Sequence, residues 1–289
     1  MSRQRIAIIG VGLIGGSLGL ALRRACPENL EIIGVDTDQA GLDAAVLAGA
    51  VDRGEMSSAA GVAAADFVFL CTPVLQIPDL VAKIRPHLKP GAILSDVGST
   101  KDLLRAKITA LLPPDVCYIG GHPMAGREKS GIAAATESLF RDKLYILTPD
   151  EGVSPSAVER LAALVGLTGA RVTVMDARRH DQAAAIISHI PHVVAAAMVN
   201  LLDGYPDEEE NLLNLAGGGF CDTTRIASSN ADMWADICMT NPAAIVEGLG
   251  QLQSLIAEVT LAVRQGDRAA AHRFFRTAKA RRDSIIGSL

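Results

Sequence analysis

This sequence predicts an α/β amino-terminal domain followed by an all-α carboxy-terminal domain, and three observations carry the prediction. Short apolar runs alternate with helical patterns through the first half of the chain. Strand signals stop after about Asp176. Beyond that point apolar residues recur at the spacing of long helices. With 289 residues, 49% of them hydrophobic, the chain can bury a sizeable core, and its length suits one large or two modest domains. The boundary is placed between residues 1–176 and 177–289.

The strand candidates, in order, are Arg5 to Ile9, Glu31 to Val35, Asp66 to Cys71, Ala92 to Ser95, Val116 to Ile119, Leu144 to Leu147 and Val172 to Val174. Helical stretches at Leu13 to Arg24, Gln76 to His87 and Thr100 to Leu111 lie between them. Strands alternating with helices make βαβ units and a mainly parallel sheet. The second half reads as helices over His180 to Leu202, Pro242 to Arg264 and Asp267 to Ile286, with polar breaks at Gly204 to Glu210 and Gly217 to Asp222. The 242–264 stretch is apolar over much of its surface. A helix of that kind is buried, and a small helical domain offers limited interior, so a homodimer interface is expected there.

Composition removes several function classes. Lys and Arg number 27 against 32 Asp and Glu, a formal net charge of -5, so the basic excess that a nucleic-acid backbone rewards is absent. One Trp, three Tyr and six Phe cannot build a large stacking platform, and they leave the core to small aliphatic residues. The five cysteines are far apart with no CxxC pair, which argues against a disulfide framework or zinc site and for a reducing compartment. Arg3 and Arg5 before the uncharged stretch Ile6 to Leu22 imitate a signal peptide. Gly10, Gly12, Gly15 and Gly16 have another explanation, no other segment offers about 18 uninterrupted apolar residues, and a cytoplasmic protein is expected.

That explanation is the loop Gly10-Val11-Gly12-Leu13-Ile14-Gly15, which follows a strand candidate and opens a helix candidate. Its glycines suit a tight turn, close approach of backbone to a pyrophosphate, and helix–strand contact, while the helix N-terminus favours negative charge. A bare GxGxxG also marks any tight strand–helix turn. Asp36 adds context: it ends the second strand candidate, where a carboxylate accepts hydrogen bonds from adenosine ribose hydroxyls. No arginine follows in Asp36-Thr37-Asp38, so NAD is expected over NADP, and FAD has no further support. The cofactor-binding set is Gly10, Gly12, Leu13, Ile14, Gly15, Asp36, and Thr72 and Pro73 after the third strand candidate.

Four further segments concentrate polar residues. Ser95 to Lys101 holds Ser99 and Thr100, which also read as ordinary helix N-caps. Gly120-Gly121-His122-Pro123-Met124-Ala125-Gly126 is a rigid turn presenting one histidine just after a strand, where an acid–base group belongs. Ser188-His189-Ile190-Pro191-His192 lies inside a helix that Pro191 distorts. With no third ligand nearby, its two histidines read as one structural and one site-facing rather than as a metal pair. Gly217 to Ser228 carries Asp222 and Arg225: an ordinary capped helix with a local ion pair, or an arginine holding a substrate carboxylate. Trp234, the single Trp, follows nine residues later and reads equally as a core residue.

Together, Gly10 to Ser17, Asp96 to Lys101, His122 to Gly126, Ser188 to His192 and Gly218 to Ile237 resemble the prephenate and arogenate dehydrogenase family, in the family's order and over nearly the whole chain. The resemblance implies a Rossmann domain followed by a helical dimerisation domain, with the active site between them. It implies NAD(P)-dependent oxidative decarboxylation of a cyclohexadiene, from prephenate to 4-hydroxyphenylpyruvate or from arogenate to tyrosine, and inhibition by tyrosine at the active site. By resemblance His122 is the catalytic histidine, bonded to the ring C4 hydroxyl, and Ser99 orients both that histidine and the cofactor. His192 stands near the substrate side chain and Arg225 binds its carboxylate. Asp222 and Glu128 surround that arginine, Trp234 is a pocket wall, and Gly218 joins the substrate-binding set. No metal is required.

One residue departs from the pattern. After Ala125-Gly126 a small Thr or Ser is expected, and this chain has Arg127. No chorismate mutase domain and no C-terminal ACT domain are expected at either end. His192 and Arg225 suit the two carboxylates and keto group of prephenate, and no carboxylate obviously awaits the ammonium of arogenate, so prephenate is the expected substrate. The competing reading is another oxidoreductase with a Rossmann domain and helical dimer domain, such as a β-hydroxyacid dehydrogenase or pyrroline-carboxylate reductase.

Overall fold

A computed structural model describes residues 3–127, 129–204 and 216–287. The strands are β1 Gln4–Ile9, β2 Leu30–Val35, β3 Arg53–Glu55, β4 Phe67–Leu70, β5 Ile93–Asp96, β6 Cys117–Pro123, β7 Leu144–Pro149 and β8 Arg171–Val174. They form one sheet in the order β3-β2-β1-β4-β5-β6-β7-β8, parallel except where β7 runs against β6. The helices beside them are α1 Leu13–Ala25, α2 Gln39–Leu47, α3 Ser58–Val62, α4 Ile77–Ile84, α5 Asp102–Thr109 and α6 Pro155–Gly166. A sheet covered on both faces needs strands that are apolar on both sides. Ile6, Ile8, Phe67 and Phe69 accordingly enter one core cluster, and Ala7, Ile9, Val68 and Leu70 the other. Strand order reverses between β1 and β4, and that switch point opens a ligand crevice beyond their carboxyl ends.

The expected α/β class holds, with local differences. β3, only Arg-Gly-Glu, escaped the sequence reading because it carries no apolar residue. It exists because Ile33 to Val35 of β2 offer it a parallel edge. β6 runs four residues past its expected end, since Gly120 to Pro123 pair antiparallel with β7. His122 is therefore a strand residue opposite Ile146, not the tip of a turn. The core is also less aliphatic than composition suggests, because Phe67, Phe69, Tyr118, Phe140 and Tyr145 are all buried in it.

After β8 the chain is helical: α7 Ala177–Ala184, a π-helical turn Ala185–His189, α8 Ile190–Asn200, α9 Gly218–Thr224, a 3-10 turn Arg225–Ser228, α10 Ala231–Thr240, α11 Pro242–Arg264 and α12 Arg268–Ile286. Pro191 cannot donate to the carbonyl four residues back and its ring crowds it. The irregular hydrogen bonding accordingly falls on the turn just ahead of it. The run Ala177–Gly204 does reach the length and apolarity of a membrane span, which the sequence reading had denied to any segment beyond the N-terminus. Polar residues His180, Asp181, His189 and His192 lie within that run, three of them buried. By contacts, Met1–Pro242 form one unit and Ala243–Leu289 a second. In that second unit Ile245 and Ala262 of α11 are buried, whereas Val246 is 68% and Val263 71% exposed.

Candidate active site

The glycine loop is built as its spacing requires. Gly10 has φ +95°, and a side chain there would meet the Cys71 carbonyl at 2.7 Å, so β1 and β4 turn away from each other in contact. A Cβ on Gly15 would run into the Gly10 carbonyl and Ile8, whereas one on Gly12 would meet nothing. That open position at the first turn of α1 is where a pyrophosphate fits. Leu13 and Ile14 open the helix. The Asp36 carboxylate accepts from the Val11 N–H at 3.0 Å, from Thr37 at 2.7 Å and from Asp38 at 3.2 Å, which fixes it at the end of β2. Across the crevice Thr72 and Pro73 follow β4, and the Thr72 hydroxyl is buried without a partner. The arrangement fits a dinucleotide.

Beside this crevice lies a buried polar knot. Lys101, with no exposed surface, pairs with Asp96 and donates to the Gly121 carbonyl at 2.7 Å, and the Tyr118 hydroxyl donates to the same Asp96. Room for it comes from Gly120 and Gly121: side chains there would press on Lys101, Ser95 and the Asp96 backbone. Burial pulls the Lys101 ammonium below its ordinary pKa and Asp96 pulls it back up. The N-cap expected of Ser99 or Thr100 is absent. α5 is capped from a distance, by the Asp181 carboxylate accepting from Lys101 N–H at 2.8 Å and Asp102 N–H at 2.9 Å. Thr100 instead bonds Thr240 of α10 at 2.9 Å.

His122 is the centre of the site. It is 8% exposed, and its Nδ1 lies 2.7 Å from Nε2 of His180. The residue bonded to it is thus His180 rather than Ser99, which sits half-buried on the loop after β5. Burial, then the neighbouring His180, Lys101 and His189, push the His122 imidazolium well below the usual histidine pKa, so the ring is neutral. His180 and Asp181 were missed by the sequence reading. Their only signal was a His-Asp pair in the first helix after the last strand.

Helices α8, α9 and α10 supply a second group. His192 stacks on Trp234 with ring centroids 3.7 Å apart, and His189 meets the same indole edge-on at 6.1 Å. Of the two histidines around Pro191, His189 is buried and His192 half-buried. Burial lowers His189 to about 4, against Asp181, which raises it. His192 is also lowered by burial and by the nearby Arg225 charge, while its bond to the Ser188 carbonyl opposes this. The indole Nε1 of Trp234 and Nε2 of His189 are buried without partners, two polar atoms available to a ligand. Trp234 is consequently half-buried rather than a core residue. α8 packs on α9 and on the turn that carries Arg225, and α10 packs on the Val74–Gln76 turn just after Pro73. Arg225, Asp222 and Gly218 are exposed. Glu128 lies outside the described residues. Arg127 lines a cavity of about 290 Å³ with Met124, Ser138 and Lys143.

Comparison with known proteins gives this arrangement its context. Residues 18–174 match the family model described as the prephenate dehydrogenase nucleotide-binding domain, and residues 176–277 the prephenate dehydrogenase dimerization domain. A prephenate dehydrogenase of Bacillus subtilis is 38% identical over 98% of this chain and 76% of its own. The crystal structure of Aquifex aeolicus prephenate dehydrogenase with hydroxyphenyl propionate and NAD+ superposes with TM-score 0.89 at 32% identity, over 99% of each chain. Synechocystis arogenate dehydrogenase gives 0.85 at 31%, over 98% of this chain and 100% of that one.

Proposed function

The chain belongs to the prephenate dehydrogenase family, and from that premise we propose that it catalyses NAD-dependent oxidative decarboxylation of prephenate to 4-hydroxyphenylpyruvate, a step of tyrosine biosynthesis. One observation carries the reading: a buried, neutral His122 at the carboxyl end of β6, held through Nδ1 and left with Nε2 for a substrate. Bound NAD supplies the hydride acceptor. His122 Nε2 takes the proton of the C4 hydroxyl as the C4 hydride departs. The ring carboxylate leaves as CO2, its bonding pair completing the aromatic ring, and the C4 oxygen takes its proton back from His122. Aromatisation provides the driving force, so the protein has mainly to orient the substrate and manage one proton.

The other residues bind. Arg225 holds the side-chain carboxylate, His192 and Trp234 flank the side chain, and Ser99 orients the cofactor. Asp222 and Glu128 surround the arginine, and Gly218 gives the backbone access. Asp36, already fixed by three N–H donors, receives the adenosine ribose hydroxyls of NAD. Tyrosine, which shares the product's ring and side-chain carboxylate, competes for this same site. Residues 1–176 form the cofactor domain and 177–289 the substrate and dimerisation domain of a cytoplasmic homodimer.

Initial rates with prephenate and arogenate, each with NAD and NADP, test the assignment. Prephenate with NAD should be preferred, and a preference for arogenate would overturn the substrate. Arg225→Ala should raise KM for prephenate by about 10- to 100-fold, the loss of one charge-assisted contact, with kcat changed far less. An unchanged KM would remove Arg225 from carboxylate binding.

A further inference from the structure

We propose that His180 and Asp181 are positioning residues that fix the tautomer of His122, so that Nε2 presents a lone pair to the substrate hydroxyl. The proposal rests on the function above and concerns how that site is made basic. It follows from counting donors along one buried chain. Asp181 Oδ1 accepts the Lys101 N–H and Oδ2 the Asp102 N–H, so neither oxygen is placed to donate. Nδ1 of His180 lies 2.8 Å from Oδ1 and must therefore carry a proton. With one proton on the ring, His180 has a bare Nε2, which can only accept. The atom 2.7 Å from it, Nδ1 of His122, must be the donor. A neutral ring has one N–H, so Nε2 of His122 is left as the acceptor. The backbone carbonyl of Asp181 is itself held, by the Asn241 amide at 2.8 Å, so the start of the chain cannot swing.

The arrangement also answers an electrostatic difficulty. Burial beside Lys101, His180 and His189 makes His122 a reluctant base. When the substrate O–H bond breaks and the Nε2–H bond forms, the ring becomes an imidazolium. Its Nδ1–H still donates to His180, whose far side faces the Asp181 carboxylate. The charge is met through one intervening ring, and no proton has to travel along the chain. Besides His180, the titratable groups whose charges act on His122 are Lys101, just ahead of α5, and His189 on the π-helical turn. Among the described residues, His180 is the one group in hydrogen-bond contact with its ring.

The test uses the intact enzyme with histidine labelled in 15N. Long-range 1H–15N correlation should show His122 protonated on Nδ1 in the wild type, with or without NAD. Asp181→Asn should abolish that preference and lower kcat for prephenate by about 100-fold or more, with KM and the NAD dissociation constant within about two-fold. Because Asp181 also caps α5, this variant can lose its fold. His180→Gln keeps the cap and carries the test in that case, with the same fall in kcat at an unchanged melting temperature. An Nε2–H tautomer in the wild type, or either variant folded with kcat within three-fold of wild type, overturns the proposal. Full turnover by His122→Asn would instead overturn the function it rests on, leaving the tautomer measurement standing on its own.

Discussion

At the scale of single residues, the site depends on imidazoles kept neutral by burial, and this gives pH a definite sign. An unperturbed histidine would lose its activity as a base near pH 6.5. Burial and neighbouring charges depress His122 well below that, so kcat/KM should stay level through pH 6.5 and fall only at lower pH. A pH–rate profile breaking at or above 6.5 would show that the ring is not shielded as described. His189, lowered to about 4, makes a parallel statement about stability. Between that value and 6.5 the unfolded chain binds a proton that the folded one does not, so stability declines as pH falls across this window. Replacing His189 with Gln should flatten the decline, measured as melting temperature from pH 7 to pH 5. His122 and His192 were legible in the sequence because each sits in a motif with an unusual neighbourhood, a Gly/Pro strand end or a proline-broken helix. His180 was not, since a lone histidine opening a helix has many unremarkable explanations, and only the fold brings it to His122 from 58 residues away.

At the scale of elements, the glycine loop separates two kinds of requirement. Gly15 is needed for packing, because any side chain collides with the Gly10 carbonyl and Ile8. Gly12 is free of such neighbours and is needed only for a ligand. Gly15→Ala should therefore cost stability of order 1–3 kcal/mol, the usual range for overpacking. Gly12→Ala should keep the melting temperature and lose at least about ten-fold in NAD affinity. Equal effects of the two substitutions on stability would contradict this division. The sequence revealed the loop through its spacing and α1 through its apolar period. It did not reveal β3, whose three residues hydrogen-bond to β2 without any side-chain signature. Nor did it reveal the true cap of α5, because Asp181 is supplied from 79 residues away. Local propensity cannot see either kind of partner.

At the scale of the molecule, the change from alternating strands and helices to helices alone was readable because the short apolar strand runs stop near Asp176 and long helical patterns take over. The apolar 242–264 stretch led the sequence reading to expect a dimer interface there, and within one chain Val246 and Val263 of α11 remain largely exposed. An apolar face of that kind is what a partner subunit covers. Light scattering should report twice the chain mass for the wild type, and Val246→Glu with Val263→Glu should shift it toward the monomer. A wild-type monomer at micromolar concentration would remove this surface from assembly. The central claim, however, is chemical, and it is tested most directly by the rate of NADH formation from prephenate in the wild type and in His122→Asn, with NAD affinity measured on both. Removing a positioned acid–base group typically costs 10²- to 10⁴-fold in rate. The account predicts turnover by the wild type, a loss of about that size in the variant, and NAD affinity within about two-fold. Substantial turnover by His122→Asn would contradict it.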